Sequence, residues 1–243
     1  VNHQMFFTEG ADLGSGDQTP DQGTPVLKVG DATPWGIVAV HAGEAWAQSA
    51  AGANARVAIL DTGIDAAHPS IAGNFEKGQN FVEDENTGAI DPTDYADKEG
   101  HGTHCAGTVL GVYNEQTGFT GVAPKAKLLS GRVCGLEGCS NIAVVDGINW
   151  AIEQKVDVIS MSLGGPIGNN AEATAVQKAD RACIVVVAAS GNSAADPNYS
   201  YDKRDPKCRS NNPFQPSNCG VSFPAAFPTV VAVGALDSTL AKT

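Results

Sequence analysis

Val57-Ala58-Ile59-Leu60-Asp61-Thr62-Gly63 is the stretch on which the reading of this sequence turns. Four apolar residues closed by Asp-Thr-Gly read as a buried strand that ends in a turn. The pattern returns down the chain, with strands expected at 127–132, 156–161, 183–188 and 229–234, and helices at 102–110, 142–154 and 171–181. Continuous apolar strands separated by helical segments imply a parallel sheet covered on both faces, with sites at the carboxyl ends of strands. The predicted fold is therefore a three-layer α/β/α domain with a mostly parallel central sheet over residues 34–243. Upstream, Val38, Ala42, Ala45 and Trp46 recur at helical spacing. Residues 1–33 are rich in Gly, Asp, Gln, Thr and Pro without apolar period. They read as an irregular arm or the remnant of a cleaved pro-segment, expected to have no part in chemistry. A polar, proline-rich stretch at about 193–221 reads as a surface insertion.

The chain has 243 residues, 42% of them hydrophobic, enough for one sizeable core. Its formal net charge of −12, with 15 Lys and Arg spread along it, argues against nucleic acid, which requires clustered cations. No apolar run is long enough for a membrane span, and Val1-Asn2-His3-Gln4 lacks the layout of a signal peptide. The expectation is a soluble protein whose export signal, if it had one, is gone. Cys134 with Cys139, and Cys208 with Cys219, are close pairs in loop-like sequence, so two small disulfides and an oxidising, extracellular setting are expected. Zinc competes less well, because neither pair has Cys-x-x-Cys spacing or a nearby histidine. Cys105 and Cys183 sit in apolar sequence.

Two motifs suggest chemistry. Asp61 at a strand end can orient an imidazole and stabilise its charged form, or it can merely cap the following turn. In Gly100-His101-Gly102-Thr103-His104-Cys105-Ala106-Gly107, glycines on both sides of His101 let the imidazole project into a cleft, where it suits general base and acid work. His101 and His104 could instead be metal ligands, but no further ligand pair fits, and His104 reads as a buried structural residue pointing into the helix.

Leu60 to Asp65 followed by His101-Gly102-Thr103-His104, with Gly121-Val122-Ala123-Pro124 after them, resembles the subtilisin-like serine peptidases, in which Asp precedes His and Ser comes last. The resemblance runs from about residue 35 to 236. It implies a serine endopeptidase in which Asp61 orients His101 and Asn192, in Ala189-Ser190-Gly191-Asn192, donates its amide to the oxyanion. It further implies that Ser162, Leu163 and Gly164 hold an extended peptide as an added strand, with Gly138 to Ser140 opposite and Ala189, Ser190 and Gly191 nearby. The loop with Val112, Asn114, Thr117 and Phe119 resembles the family's calcium loop, although Ser70 stands where an Asp usually completes that site. Asp91, Asp94 and Asp97 offer either a second calcium site or a solvated acidic loop.

The family's Gly-Thr-Ser-Met-Ala segment, which holds the nucleophile, does not occur in these residues. It is expected beyond Thr243, on a C-terminal fragment held as a second chain. The alternative is a pseudoprotease that binds peptides without cutting them.

Overall fold

The computed structural model describes residues 33–113, 119–192, 220–236 and 239, together with the backbone of residues 4–7. In chain order its elements are strand β1 (Gln4–Phe7), helices α1 (Trp35–Ala39) and α2 (Ala42–Ser49), strands β2 (Arg56–Asp61) and β3 (Phe75–Asn80), and helix α3 (His101–Leu110). Then follow β4 (Lys127–Arg132), β5 (Cys134–Gly135), β6 (Gly138–Ser140), α4 (Asn141–Glu153), β7 (Val158–Met161), β8 (Leu163–Gly164), α5 (Asn170–Arg181), β9 (Val185–Ala189) and β10 (Val230–Val233).

Six strands form the central sheet in the order β10-β9-β7-β2-β4-β3, and every pairing is parallel. The two-residue period of β2 explains the layering. Ala58 and Leu60 point into a core shared with α4 and α5, while Val57 and Ile59 point into a second core with Ala106 and Leu110 of α3. A strand buried on both faces must be apolar throughout, as this one is, so the three-layer reading of residues 57–60 holds.

Two strands start two residues later than expected, at Val158 and Val185. The cause is shared. Lys155 and Cys183 take left-handed backbone angles, with φ of 56° and 59°, just past α4 and α5. In each case the next residue's N–H reaches back to the helix, Val156 to the Ala151 carbonyl and Ile184 to that of Ala179. These are helix-ending loops of the kind glycine normally makes. Here neither residue is glycine, so the sequence does not announce the stop. The apolar recurrence after Trp35 also breaks: His41, at φ 56°, separates α1 from α2, and the buried residues are Ile37, Ala42 and Trp46, not Val38 or Ala45.

The second sheet corrects the reading of the N-terminal arm. Residues 4–7 are not irregular: β1 lies between β6 and β8 in a four-stranded sheet ordered β5-β6-β1-β8. The insertion, apart from residues 220–221, and the Cys208–Cys219 pair lie outside the described residues.

Candidate active site

β2 delivers Asp61 to the carboxyl edge of the sheet, where its side chain is almost fully buried. Its Oδ1 accepts the Thr62 main-chain N–H at 2.7 Å and lies 2.6 Å from His101 Nδ1. Oδ2 is buried without a hydrogen-bond partner, so the carboxylate is dehydrated and directs its charge at the imidazole. That hydrogen bond is the main reason the His101 pKa is pushed well above its ordinary value, with the Cys105 thiol adding to the effect and burial opposing it. A shared proton between Oδ1 and Nδ1 leaves Nε2 as the basic nitrogen.

The flanking glycines have steric work to do. His101 is the first residue of α3, behind Gly100 at φ 93°. A Cβ on Gly102 would collide with the Gly63 carbonyl oxygen, and one on Gly63, at φ 117°, would lie 2.6 Å from the Tyr95 carbonyl oxygen. Close approach of the Asp61 turn to the start of α3 therefore requires Gly102, and packing of that turn on the loop at Tyr95 and Ala96 requires Gly63.

Beside this pair runs a channel between two strand edges. β1 fills it, antiparallel to both walls: Gln4 and Met5 register with Ser140 and Cys139 of β6, and Phe6 and Phe7 with Gly164 and Leu163 of β8. Gly138, expected as one wall, pairs with Gly135 in the β5–β6 hairpin, which the disulfide between Cys134 and Cys139 closes as foreseen. Ser162 joins β7 to β8 and hydrogen-bonds Cys105, which links the channel wall to the histidine helix. Ala189 ends β9, and Ser190, Gly191 and Asn192 follow it, so Asp61, Ser162 and Asn192 leave the same edge of neighbouring parallel strands. A Cβ on Gly191 would meet the Ser222 side chain, and one on Gly164 would lie 3.0 Å from Ser222 Cβ. Residues 220–223 thus back both segments.

Other expectations change. His104 is exposed rather than buried in the helix, and its imidazole interacts with Cys105, which raises its pKa. Cys105 is half-buried and free. Burial pushes its thiol up, but hydrogen bonding to His101 and His104 outweighs this and leaves the pKa lowered. Cys183 is free and exposed, not in apolar surroundings. Donor atoms of Asp61, His101 and Cys105 lie within 4.8 Å of one another, but the direct Asp61–His101 bond occupies the position a cation would need.

The acidic loop is internally satisfied. Asp91 is bonded by Thr93, Asp94 by Lys98 and Arg132, and Asp97 by Thr62 and Thr103. In the other loop, Val112 donates its N–H to the Ser70 carbonyl, and the Phe119 ring lies against Gly107 and Gly111. Asn114 and Thr117 fall outside the described residues.

Comparison with known proteins agrees with this geometry. The Subtilase family model, Peptidase_S8, matches residues 52–242. The chain is 36% identical to subtilisin E of Bacillus subtilis (strain 168) over 209 residues, which are 86% of this chain and 48% of that protein. It is 38% identical to the major intracellular serine protease of the same organism over 205 residues, 84% of this chain and 57% of the relative. It is 41% identical to thermitase of Thermoactinomyces vulgaris over 167 residues, 68% and 57% of the two chains. The chain thus spans about half the length of these relatives. With a parallel sheet that brings a buried aspartate against a helix-opening histidine, and a family match over most of its length, this chain belongs to the subtilase family.

Proposed function

We propose that this chain forms the larger part of a serine endopeptidase whose nucleophilic serine comes from polypeptide outside residues 1–243, in our reading a C-terminal fragment held as a second chain. The observation that supports this best is β1 lodged between β6 and β8. A backbone strand already pairs there on both sides, as an extended peptide substrate would. Ser162, at the junction of β7 and β8, hydrogen-bonds Cys105 of the helix that His101 opens, which brings that edge near the proposed base.

In the proposed reaction His101 Nε2 removes the serine hydroxyl proton as the oxygen attacks the scissile carbonyl. Asp61 holds Nδ1–H and stabilises the imidazolium that forms. Asn192 donates its amide to the negative carbonyl oxygen. The tetrahedral species collapses as His101 passes the proton to the departing amine, leaving an acyl-enzyme. Water, deprotonated by the same nitrogen, then releases the acid and restores the serine.

Support for further covering chain comes from β10, which pairs only with β9 among the described strands. Val231, Val233 and Leu236 there are 52%, 49% and 44% exposed, an apolar edge suited to covering chain. Adding the segment that bears the serine should restore peptide hydrolysis and labelling by a fluorophosphonate. Peptide bound by the completed protein but neither cut nor accompanied by label would favour the pseudoprotease instead.

The channel gives its own prediction. A chain starting at residue 33 should bind an extended peptide, read by fluorescence anisotropy, at least tenfold more tightly than the chain that keeps β1, because no internal strand competes. Equal affinity would show that β1 does not hold the channel.

Calcium remains a weaker proposal, resting on resemblance. Val112 and Phe119 offer only neutral main-chain oxygens, and Ser70 supplies no carboxylate. Chelation should therefore lower the melting temperature by only a few degrees. No shift would remove the proposal, and no catalytic step depends on the ion. We also place the protein outside the cell, which the Cys134–Cys139 disulfide favours. No helix among the described residues is long and apolar enough to cross a membrane.

A further inference from the structure

Asp97 precedes α3 by four residues, and its carboxylate accepts five hydrogen bonds. Oδ1 takes Thr62 Oγ1 at 2.8 Å, Glu99 N at 3.1 Å and Gly100 N at 2.8 Å. Oδ2 takes Thr103 N at 2.9 Å and Thr103 Oγ1 at 2.6 Å. Burial alone would push this carboxyl up, but the donors outweigh it and hold the pKa below the ordinary value.

The bonds form a bridge between the two catalytic elements. Gly100, the residue before α3, has no side chain to satisfy the first-turn N–H groups. Asp97 accepts those of Gly100 and Thr103, and Thr62 Oγ1 accepts that of Gly102 at 2.8 Å. Thr62 follows Asp61 and also donates its own N–H to Asp61 Oδ1. The end of β2 and the start of α3 are thereby tied together one residue to either side of the Asp61–His101 bond.

Ionisation of Asp97 sets the direction of the whole bridge. A carboxylate only accepts, so the Thr62 and Thr103 hydroxyl protons must both point at it. Their lone pairs are then free for Gly102 N–H and for Asp65 N–H, the latter at 3.0 Å. An amide in its place would present N–H on one side. One hydroxyl would have to reverse, and Gly102 or Asp65 would lose its acceptor.

We propose that Asp97 is a positioning residue for the Asp61–His101 pair, acting through Thr62 and Thr103 to fix the start of α3 against the end of β2. Its effect on turnover rests on the peptidase reading, whereas its effect on the His101 geometry does not. A plain helix-capping role is the competing account.

The test uses D97N and T62V, with T62S as the conservative control. In the 243-residue chain, the low-field proton resonance of the His101 Nδ1–H bond should weaken or disappear in D97N and T62V and persist in T62S. In the completed enzyme, D97N and T62V should lower kcat about 10- to 100-fold, as expected for a misplaced base, with KM changed by less than about twofold. Capping alone predicts a lower melting temperature for D97N with the resonance unchanged. An unchanged resonance in both variants overturns the proposal. A lost resonance together with no hydrolysis by the wild-type completed enzyme would instead sink only the peptidase reading.

Discussion

Replacing Asp61 with Asn is expected to lower kcat of the completed enzyme by about four orders of magnitude while KM stays nearly constant. The amide would direct an N–H or a weak acceptor at His101 Nδ1, so the proton that now lies between Oδ1 and Nδ1 at 2.6 Å would be misplaced or lost. Nε2 would then no longer be held as the base. The substitution should also move the pH profile. His101 must be neutral to accept a proton, so activity falls as pH drops through its pKa. Because the Asp61 hydrogen bond is the largest cause of the upward shift, the wild-type limb should lie on the alkaline side of 6.5, and the D61N limb should move down. The same linkage fixes the sign for stability. A histidine with a raised folded pKa contributes stabilisation that is complete below about pH 6.5 and is lost as pH rises through the folded value. D61N should therefore cost most stability at acid to neutral pH. A wild-type rate that is flat from about pH 5 to about pH 8 would contradict the assignment of His101 as the base.

Much of the fold was legible because burial on both faces leaves a blunt mark on sequence. Residues 127–132 were placed correctly at both ends, and the continuous apolar runs of β2, β7 and β9 announced a covered parallel sheet. Where boundaries slipped, backbone angles were responsible. Lys155 and Cys183 stop their helices in the left-handed region, and neither residue type advertises that conformation. β1 was hidden for another reason. Its four residues pair with partners more than 130 positions away, so its order comes from edges supplied by distant chain and not from local pattern.

The candidate site was legible where spacing reflects close packing. Gly102 lets the start of α3 touch the turn after β2, Gly63 lets that turn pack on Tyr95 and Ala96, and their motifs pointed to Asp61 and His101. The exposure of His104 was not, since a helix with small residues on several faces gives little sense of which way each side chain turns. The bonding of Asp97 was hidden among neighbouring acids that differ only in their partners. Glu172, by contrast, is marked by spacing: it stands three, four and seven residues before Ala175, Val176 and Ala179, all buried on one face of α5.

That glutamate should make stability depend on pH in the opposite sense from an ordinary surface acid. Its side chain is fully buried, with neither carboxyl oxygen hydrogen-bonded. It stands three residues after Asn169, whose side chain accepts the Glu172 N–H at 2.9 Å, one half of a capping box. Burial pushes its pKa from 4.5 up to about 8, and the Asn169 main-chain N–H, outside hydrogen-bond geometry, offsets this only in part. In the unfolded chain the group ionises near 4.5, whereas in the folded chain it keeps its proton to about 8. Folding therefore binds a proton between those values, and stability declines as pH rises through them, by a total on the order of 3 to 5 kcal/mol. E172Q keeps the shape and the helix-start position but cannot ionise. Urea unfolding midpoints of the wild-type chain should fall from about pH 5 to about pH 8, while those of E172Q should fall much less and exceed the wild type at the upper end. Parallel profiles would mean that Glu172 finds a partner or water when charged, and the buried-acid account would fail.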